Sequence, residues 1–217
     1  MHNNNPFLVV LFVAASFYRG SDAAASFCVG DLTRQPTPSG YPCKNPENVT
    51  VDDFVFTEFV KRVNTSNANK ASIVRANSTT FPAFPGLNGL GLAVARADIE
   101  PGGAIPLHSH PAATEMIYVA EGSITAGFIS GASNVVYVKK LNKGEVMVFP
   151  RGLFHFQVNT GKEHAVGIAS FSDSEPGVQL VSLAIFGNDF PSFLVEKTTS
   201  IDEAEVKKLK ALLGGSG

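Results

Sequence analysis

Two histidines separated by a single residue, His108-Ser109-His110, are followed by Glu115, and a third histidine, His155, stands 40 residues beyond that carboxylate. In an extended strand, residues i and i+2 point to the same face, so both imidazoles of the pair can reach one point. Glu115 opens the apolar run after Pro111–Thr114 and can return a carboxylate to that point. His155 follows a Pro150-Arg151-Gly152 turn, on a strand of its own. Solvated histidines have no reason to gather in this way. Three imidazoles and one carboxylate make a mixed nitrogen and oxygen donor set. Four such ligands leave two positions open on an octahedral Mn(II), Fe(II) or Ni(II) ion. Thiolate-bound metals do not fit, because the two cysteines, Cys28 and Cys43, lie far upstream. His164, near Gly161-Lys162-Glu163, reads as a solvated loop residue.

The elements that must carry these side chains are short and β-like. Strands are expected over Leu90–Asp98, Glu115–Glu121, Ser123–Ile129, Val135–Leu141, Glu145–Phe149, Phe154–Val158, Ala165–Phe171 and Leu183–Phe186. Turn residues separate them: Pro101-Gly102-Gly103, Glu121-Gly122, Ser130-Gly131, Asn142-Lys143-Gly144 and Thr160-Gly161. Regular short strands with few helices define an all-β class, a sandwich or a barrel. Phe149, Phe154 and Phe156 read as core residues on alternate strand positions, and Lys143-Gly144-Glu145 as an ordinary hairpin turn. Val51–Phe56 reads as a short helix or strand. The tail differs. Ser200-Ile201-Asp202-Glu203 fits a capping box, and Val206, Leu209, Leu212 and Leu213 give the following helix an apolar face that Gly214 ends. Such a tail on a β-domain is expected to pack on a neighbouring subunit.

The N-terminus points to export. Phe7–Ala15 is too short to span a bilayer but fits a signal-peptide hydrophobic region, and Ala23-Ala24-Ala25 gives a small-residue cleavage pattern. An oxidising compartment would pair Cys28 with Cys43, closing a proline-rich loop worth ~3 kcal/mol in the chain-entropy account. Three sequons begin at Asn48, Asn64 and Asn77, with Asn64 in the most polar stretch. No later apolar run reaches the ~18 residues a membrane span needs. The chain has 217 residues, with 17 Lys plus Arg against 19 Asp plus Glu, a net charge of −2. A chain so near neutral has no general pull on nucleic acid or anionic lipid. The expected organisation is a signal peptide over 1–25, an N-terminal extension with the disulfide over 26–70, a β-domain over 71–195 and a helical segment over 196–217.

Two patterns carry a resemblance to a known family. They are Gly102-x5-His108-x-His110-x4-Glu115-x6-Gly122 and Gly144-x5-Pro150-x-Gly152-x2-His155-x3-Asn159. Both fit the boxes of the plant germins, and Gly40-Tyr41-Pro42-Cys43, Val51-Asp52-Asp53-Phe54 and Leu87-Asn88-Gly89-Leu90-Gly91 extend the likeness along the chain. The sequence resembles a germin-like protein of the cupin superfamily, close to the branch that includes auxin-binding germin-like proteins. The resemblance implies a single cupin jelly-roll β-barrel with manganese held by His108, His110, Glu115 and His155. It also implies a secreted glycoprotein of the apoplast or cell wall. A homohexamer, a trimer of dimers with interlocked C-terminal helices, is implied as well. Germins with oxalate oxidase activity carry asparagines where this chain has Ile105 and Ala95, so oxalate oxidation is not expected here. Superoxide dismutation to hydrogen peroxide is the expected activity. The alternative is a non-enzymatic wall protein, receptor or storage protein binding auxin or another small acid.

Overall fold

The computed structural model describes residues 27–37, 39–77 and 83–217; the expected signal peptide over 1–25 lies outside the described residues. Among the described residues there are ten strands: β1 (Ala71–Ala76), β2 (Ala93–Ile99), β3 (Ala104–Ser109), β4 (Glu115–Glu121), β5 (Ser123–Ile129), β6 (Val136–Asn142), β7 (Val146–Phe149), β8 (His155–Val158), β9 (Ala165–Phe171) and β10 (Gln179–Leu180). They form two five-stranded sheets, ordered β1-β2-β9-β4-β7 and β10-β3-β8-β5-β6. All neighbouring pairs are antiparallel. Alternation gives each strand two faces. On β4, Glu115, Ile117 and Val119 point inward while Met116 and Tyr118 face out. The inward faces meet in a core of Ile99, Ile105, Ile117, Val119, Ile124 and Leu141. Each of these side chains contributes about 1.5–3 kcal/mol by leaving water.

The expected single jelly-roll barrel is not what forms. Closing a barrel requires the edge strand of one sheet to hydrogen-bond the edge of the other. Here β1, β7, β10 and β6 each have a ladder partner on one side only among the described residues, so two open sheets pack face to face. The class is therefore mixed, with α1 (Val181–Phe186), α2 (Ser192–Thr199) and α3 (Glu203–Leu213) after the strands.

The helices correct two further expectations. Leu183–Phe186 belongs to α1 and not to a strand. A short apolar run carries no readable period, and Asn188 stops this one by donating to the carbonyls of Leu183 and Ala184 at 3.3 and 2.9 Å. The helix α2 has no counterpart in the expected pattern. Ser200 ends it in the left-handed region at φ 62°, so Ser200 is a C-cap; the N-cap of α3 is Asp202, which accepts from Ala204 N at 2.9 Å. The apolar face of α3 is turned inward on its own chain. Val206 packs with Phe186 and Val195, flanked by Leu209 and Leu213, while Leu212 stays exposed. Lys210 is buried beside them and donates to the backbone carbonyls of Asn188, at 3.0 Å, and Ser216.

The described residues of 27–67 form 3-10 turns at Pro46–Asn48, Val51–Phe54 and Glu58–Val60 and isolated bridges Gly30↔Cys43 and Thr37↔Gly40, and Cys28 and Cys43 are joined in a disulfide. This arm is tied to β2. Arg96 donates to Phe59 O at 2.8 Å and grips buried Asp98 with two nitrogens, at 2.8 and 2.9 Å, while Val63 N donates to Asp98 at 3.4 Å. Burial alone would raise the Asp98 carboxyl, but the bonds from Arg96 and Val63 outweigh it and hold it below the usual carboxylate range. His164 is part of this cluster, its Nε2 at 3.1 Å from Asp98 Oδ1, and is not the solvated loop residue expected. No helix among the described residues is long and apolar enough to cross a membrane.

Candidate metal centre

His108 and His155 sit directly opposite each other on neighbouring strands β3 and β8. The register of that pair slips between Ile105 and His108. The bulge lets two positions of opposite parity, Ile105 and His108, both turn inward. His110 lies just past the end of β3. Glu115 comes from the other sheet, as the first inward residue of β4. The site therefore clamps the two sheets together, three imidazoles from one side and a carboxylate from the other. One ligand atom from each residue lies within 4.8 Å of all the others, and all four side chains are buried.

Each ring is oriented by a backbone carbonyl. His108 Nδ1–H donates to Pro106 O at 2.8 Å, His155 Nδ1–H to Leu153 O at 2.8 Å, and His110 Nδ1–H to Gly177 O. Gly177 has φ 64°, which a residue with a side chain adopts only with strain. A carbonyl only accepts, so Nδ1 carries the proton on all three rings and Nε2 is left with its lone pair toward the centre. Those lone pairs face an acceptor. Glu115 Oε2 is 3.0 Å from His110 Nε2 and 3.1 Å from His155 Nε2. Acceptor against acceptor is stable only with positive charge between them, either added protons or a metal cation. The donor set thus fits a hard or borderline divalent ion. Burial, with His155 nearby, pushes His108 down to about 4, so its Nε2 lone pair is free at any pH above that. Burial would raise Glu115, but with added protons on Nε2 of His110 and His155 the bonds those rings donate outweigh it and hold the carboxyl at about 2.

Above the tetrad is a cavity of about 320 Å³. Small residues make the space: Ala95 and Ala97 on β2 and Ala169 on β9 line it and end at Cβ. Gln157 also faces the cavity. Its Nε2 donates to Glu115 Oε1 at 3.3 Å, and its Oε1 is buried without a partner among the described residues. Gln157 escaped the sequence reading, although its place two residues after His155 on one strand was the signal. Phe149 stacks on His155 with centroids 4.6 Å apart, whereas Phe154 is exposed. Of the sequon asparagines, Asn48 and Asn64 are exposed, and Asn77 is buried and donates to the Glu175 carboxylate at 3.1 Å. Glu145, in the Lys143–Glu145 turn, is tied to Asn142 N at 2.7 Å and Lys139 at 3.0 Å.

The Cupin family profile matches residues 59–207. Germin-like protein subfamily 3 member 3 of Arabidopsis thaliana is 50% identical over 210 residues, 97% of this chain and 96% of that one. Auxin-binding protein ABP20 of Prunus persica is 46% identical over 209 residues, 95% of each. Among solved structures, an oxalate oxidase shares 34% identity and aligns over 87% of this chain and 94% of its own with a TM-score of 0.81. A recombinant oxalate oxidase in complex with glycolate aligns equally, at 33% identity and a TM-score of 0.81. These likenesses overturn the expectation that set oxalate oxidation aside in favour of superoxide dismutation or non-enzymatic binding. That expectation weighed the two amides lost at Ile105 and Ala95. It overlooked Gln157, which puts an amide against Glu115 in the same cavity.

Proposed function

The chain belongs to the cupin family and to its germin-like branch, and from that premise we propose that it is a manganese-dependent oxidase of small carboxylic acids, with oxalate as the reference substrate. One observation carries the reading. A buried tetrad of three carbonyl-oriented histidines and one ionised glutamate closes the floor of a small-molecule cavity, on a fold that overlays oxalate oxidase. Manganese bound there would supply a Lewis acid that can also exchange single electrons. The residues of the chain do the rest. His108, His110 and His155 present fixed Nε2 lone pairs, and Glu115 supplies the one negative charge. Gln157 holds Glu115 through Nε2 and offers Oε1 to a proton-bearing group in the cavity. The alanine and isoleucine walls exclude water, which strengthens every polar contact inside. In the overall reaction, oxalate, dioxygen and two protons become two carbon dioxide molecules and hydrogen peroxide. The carbon–carbon bond breaks and its two electrons reduce the dioxygen.

The same reading covers compartment and assembly. We propose export behind a signal peptide over 1–25, into the apoplast or cell wall; the Cys28–Cys43 bond suits an oxidising compartment. Glycans are assigned to Asn64 and Asn48, whose side chains are exposed, rather than to buried Asn77. A homohexamer is proposed because the outer sheet faces leave Met116, Tyr118, Val146 and Val148 exposed, an apolar surface suited to a second copy. Elemental analysis joined to an oxalate assay on the same secreted sample tests the catalytic reading. Manganese with peroxide formation supports it; a metal-loaded protein inert toward oxalate refutes it. Light scattering on that sample tests the hexamer.

A further inference from the structure

The cavity is more apolar than a two-carbon acid requires. At about 320 Å³ it falls in the range of sites that enclose whole small molecules. Apart from the tetrad and Gln157, every buried residue lining it is apolar. Ala95 and Ala97 line one wall and Ala169 the next, with Ile105 facing from the other sheet and Leu180 nearer the mouth. A second carboxylate placed against these methyl groups would leave water at a real cost, because the cavity's other donors, Asn67, Asn69, Ser72 and Arg75, are not among its buried residues. An aliphatic body in the same place loses only unfavourable contact with water.

We propose that the site is shaped for a 2-hydroxy or 2-oxo monocarboxylic acid with a short branched aliphatic body. Its acid end lies at the tetrad and its body against Ala95, Ala169, Ile105 and Leu180. The inference rests on the reading that the manganese-loaded tetrad receives a carboxylate, and it names the class of acid that fits best. Ile105 and Ala169 are then specificity-determining residues, and the arrangement ranks acids by the apolar group they carry.

The test uses the full secreted protein with its manganese in place, titrated by calorimetry with glycolate and with 2-hydroxy-4-methylpentanoate. The two acids share one head group and differ only by an isobutyl body. The branched acid is expected to bind at least about tenfold more tightly, since even one methylene in an apolar pocket is worth that much. Ala169→Leu fills the space and is expected to abolish the advantage of the branched acid over glycolate. Should Ala169→Leu fail to fold, Leu180→Ser at the mouth is expected to reduce the advantage instead. Equal binding of the two acids, or an advantage untouched by the folded variant, overturns this inference and leaves the carboxylate reading standing. Failure of both acids to bind the manganese-loaded protein overturns both.

Discussion

Changing Glu115 to Gln keeps the shape of the side chain and removes its charge. In the metal-free protein that carboxyl is held at about 2 against an ordinary 4.5, because His110 and His155 outweigh its burial. At ~1.4 kcal/mol per pH unit, the difference stabilises the fold by up to about 3 kcal/mol. The folded value lies below the unfolded one, so this contribution is complete above about pH 4.5 and is lost as pH falls toward 2. For a chain of this size each kcal/mol moves the melting temperature by ~2–4 °C, which gives a fall of about 6–12 °C at pH 6. The larger effect is on the cation. Manganese at about a thousand times its dissociation constant adds ~4 kcal/mol to the wild type. Glu115→Gln removes the only anionic ligand and is expected to lose most of that gain. Scanning calorimetry of chelator-treated and manganese-saturated samples, with elemental analysis of each, reads both effects. Full metal content in Glu115→Gln, with melting temperatures equal to wild type in both samples, would refute the reasoning.

Three further outcomes follow from the packing. His108 is held at about 4 by burial, below its unfolded value near 6.5, so metal-free protein should lose stability as pH drops from 6.5 toward 4. His108→Gln should flatten that slope in a melting-temperature series, and a slope unchanged in the variant would contradict the assignment. Asp98→Asn leaves the Arg96 guanidinium without its buried carboxylate and should cost about 3–5 kcal/mol by urea unfolding. The same change should speed proteolysis within Phe59–Val63, the arm that Arg96 and Asp98 hold; unaltered cleavage would count against the clamp. Leu209→Glu should lower stability by several kcal/mol, because Leu209 packs beside Phe186, Val195 and Val206 of its own chain. A variant of wild-type stability would show that α3 does not dock within the chain.

The site was more legible than the fold around it. The spacing of His108 and His110 turns both to one side, Glu115 and His155 each open a strand after turn residues, and strands β4, β5 and β9 follow from alternation and flanking glycines. Other features depend on partners far away in sequence. The strand β1 has a weak pattern of its own and is fixed by its ladder to β2, from Ala71↔Ile99 to Ala76↔Val94. The bulge before His108 is a property of the pairing with β8 and leaves no mark in composition. His164 looks like a loop residue until Asp98 is seen beneath it. The open sheets were hidden because alternation reports which face of a strand is buried and not whether its edge finds a partner. The residues around Leu183 and Ser200 were misassigned for a related reason: short runs and caps are decided by what packs on them, here the helical cluster around Val195 and Val206.

The most direct test is turnover of oxalate by the secreted protein loaded with manganese, following oxygen uptake, carbon dioxide and peroxide together. Oxygen consumption that depends on oxalate and on bound manganese is expected, with one peroxide formed for every two carbon dioxide molecules, and with no turnover after chelation or in Glu115→Gln. Protein that holds one manganese per chain at His108, His110, Glu115 and His155, yet consumes no oxygen with oxalate, would contradict the account.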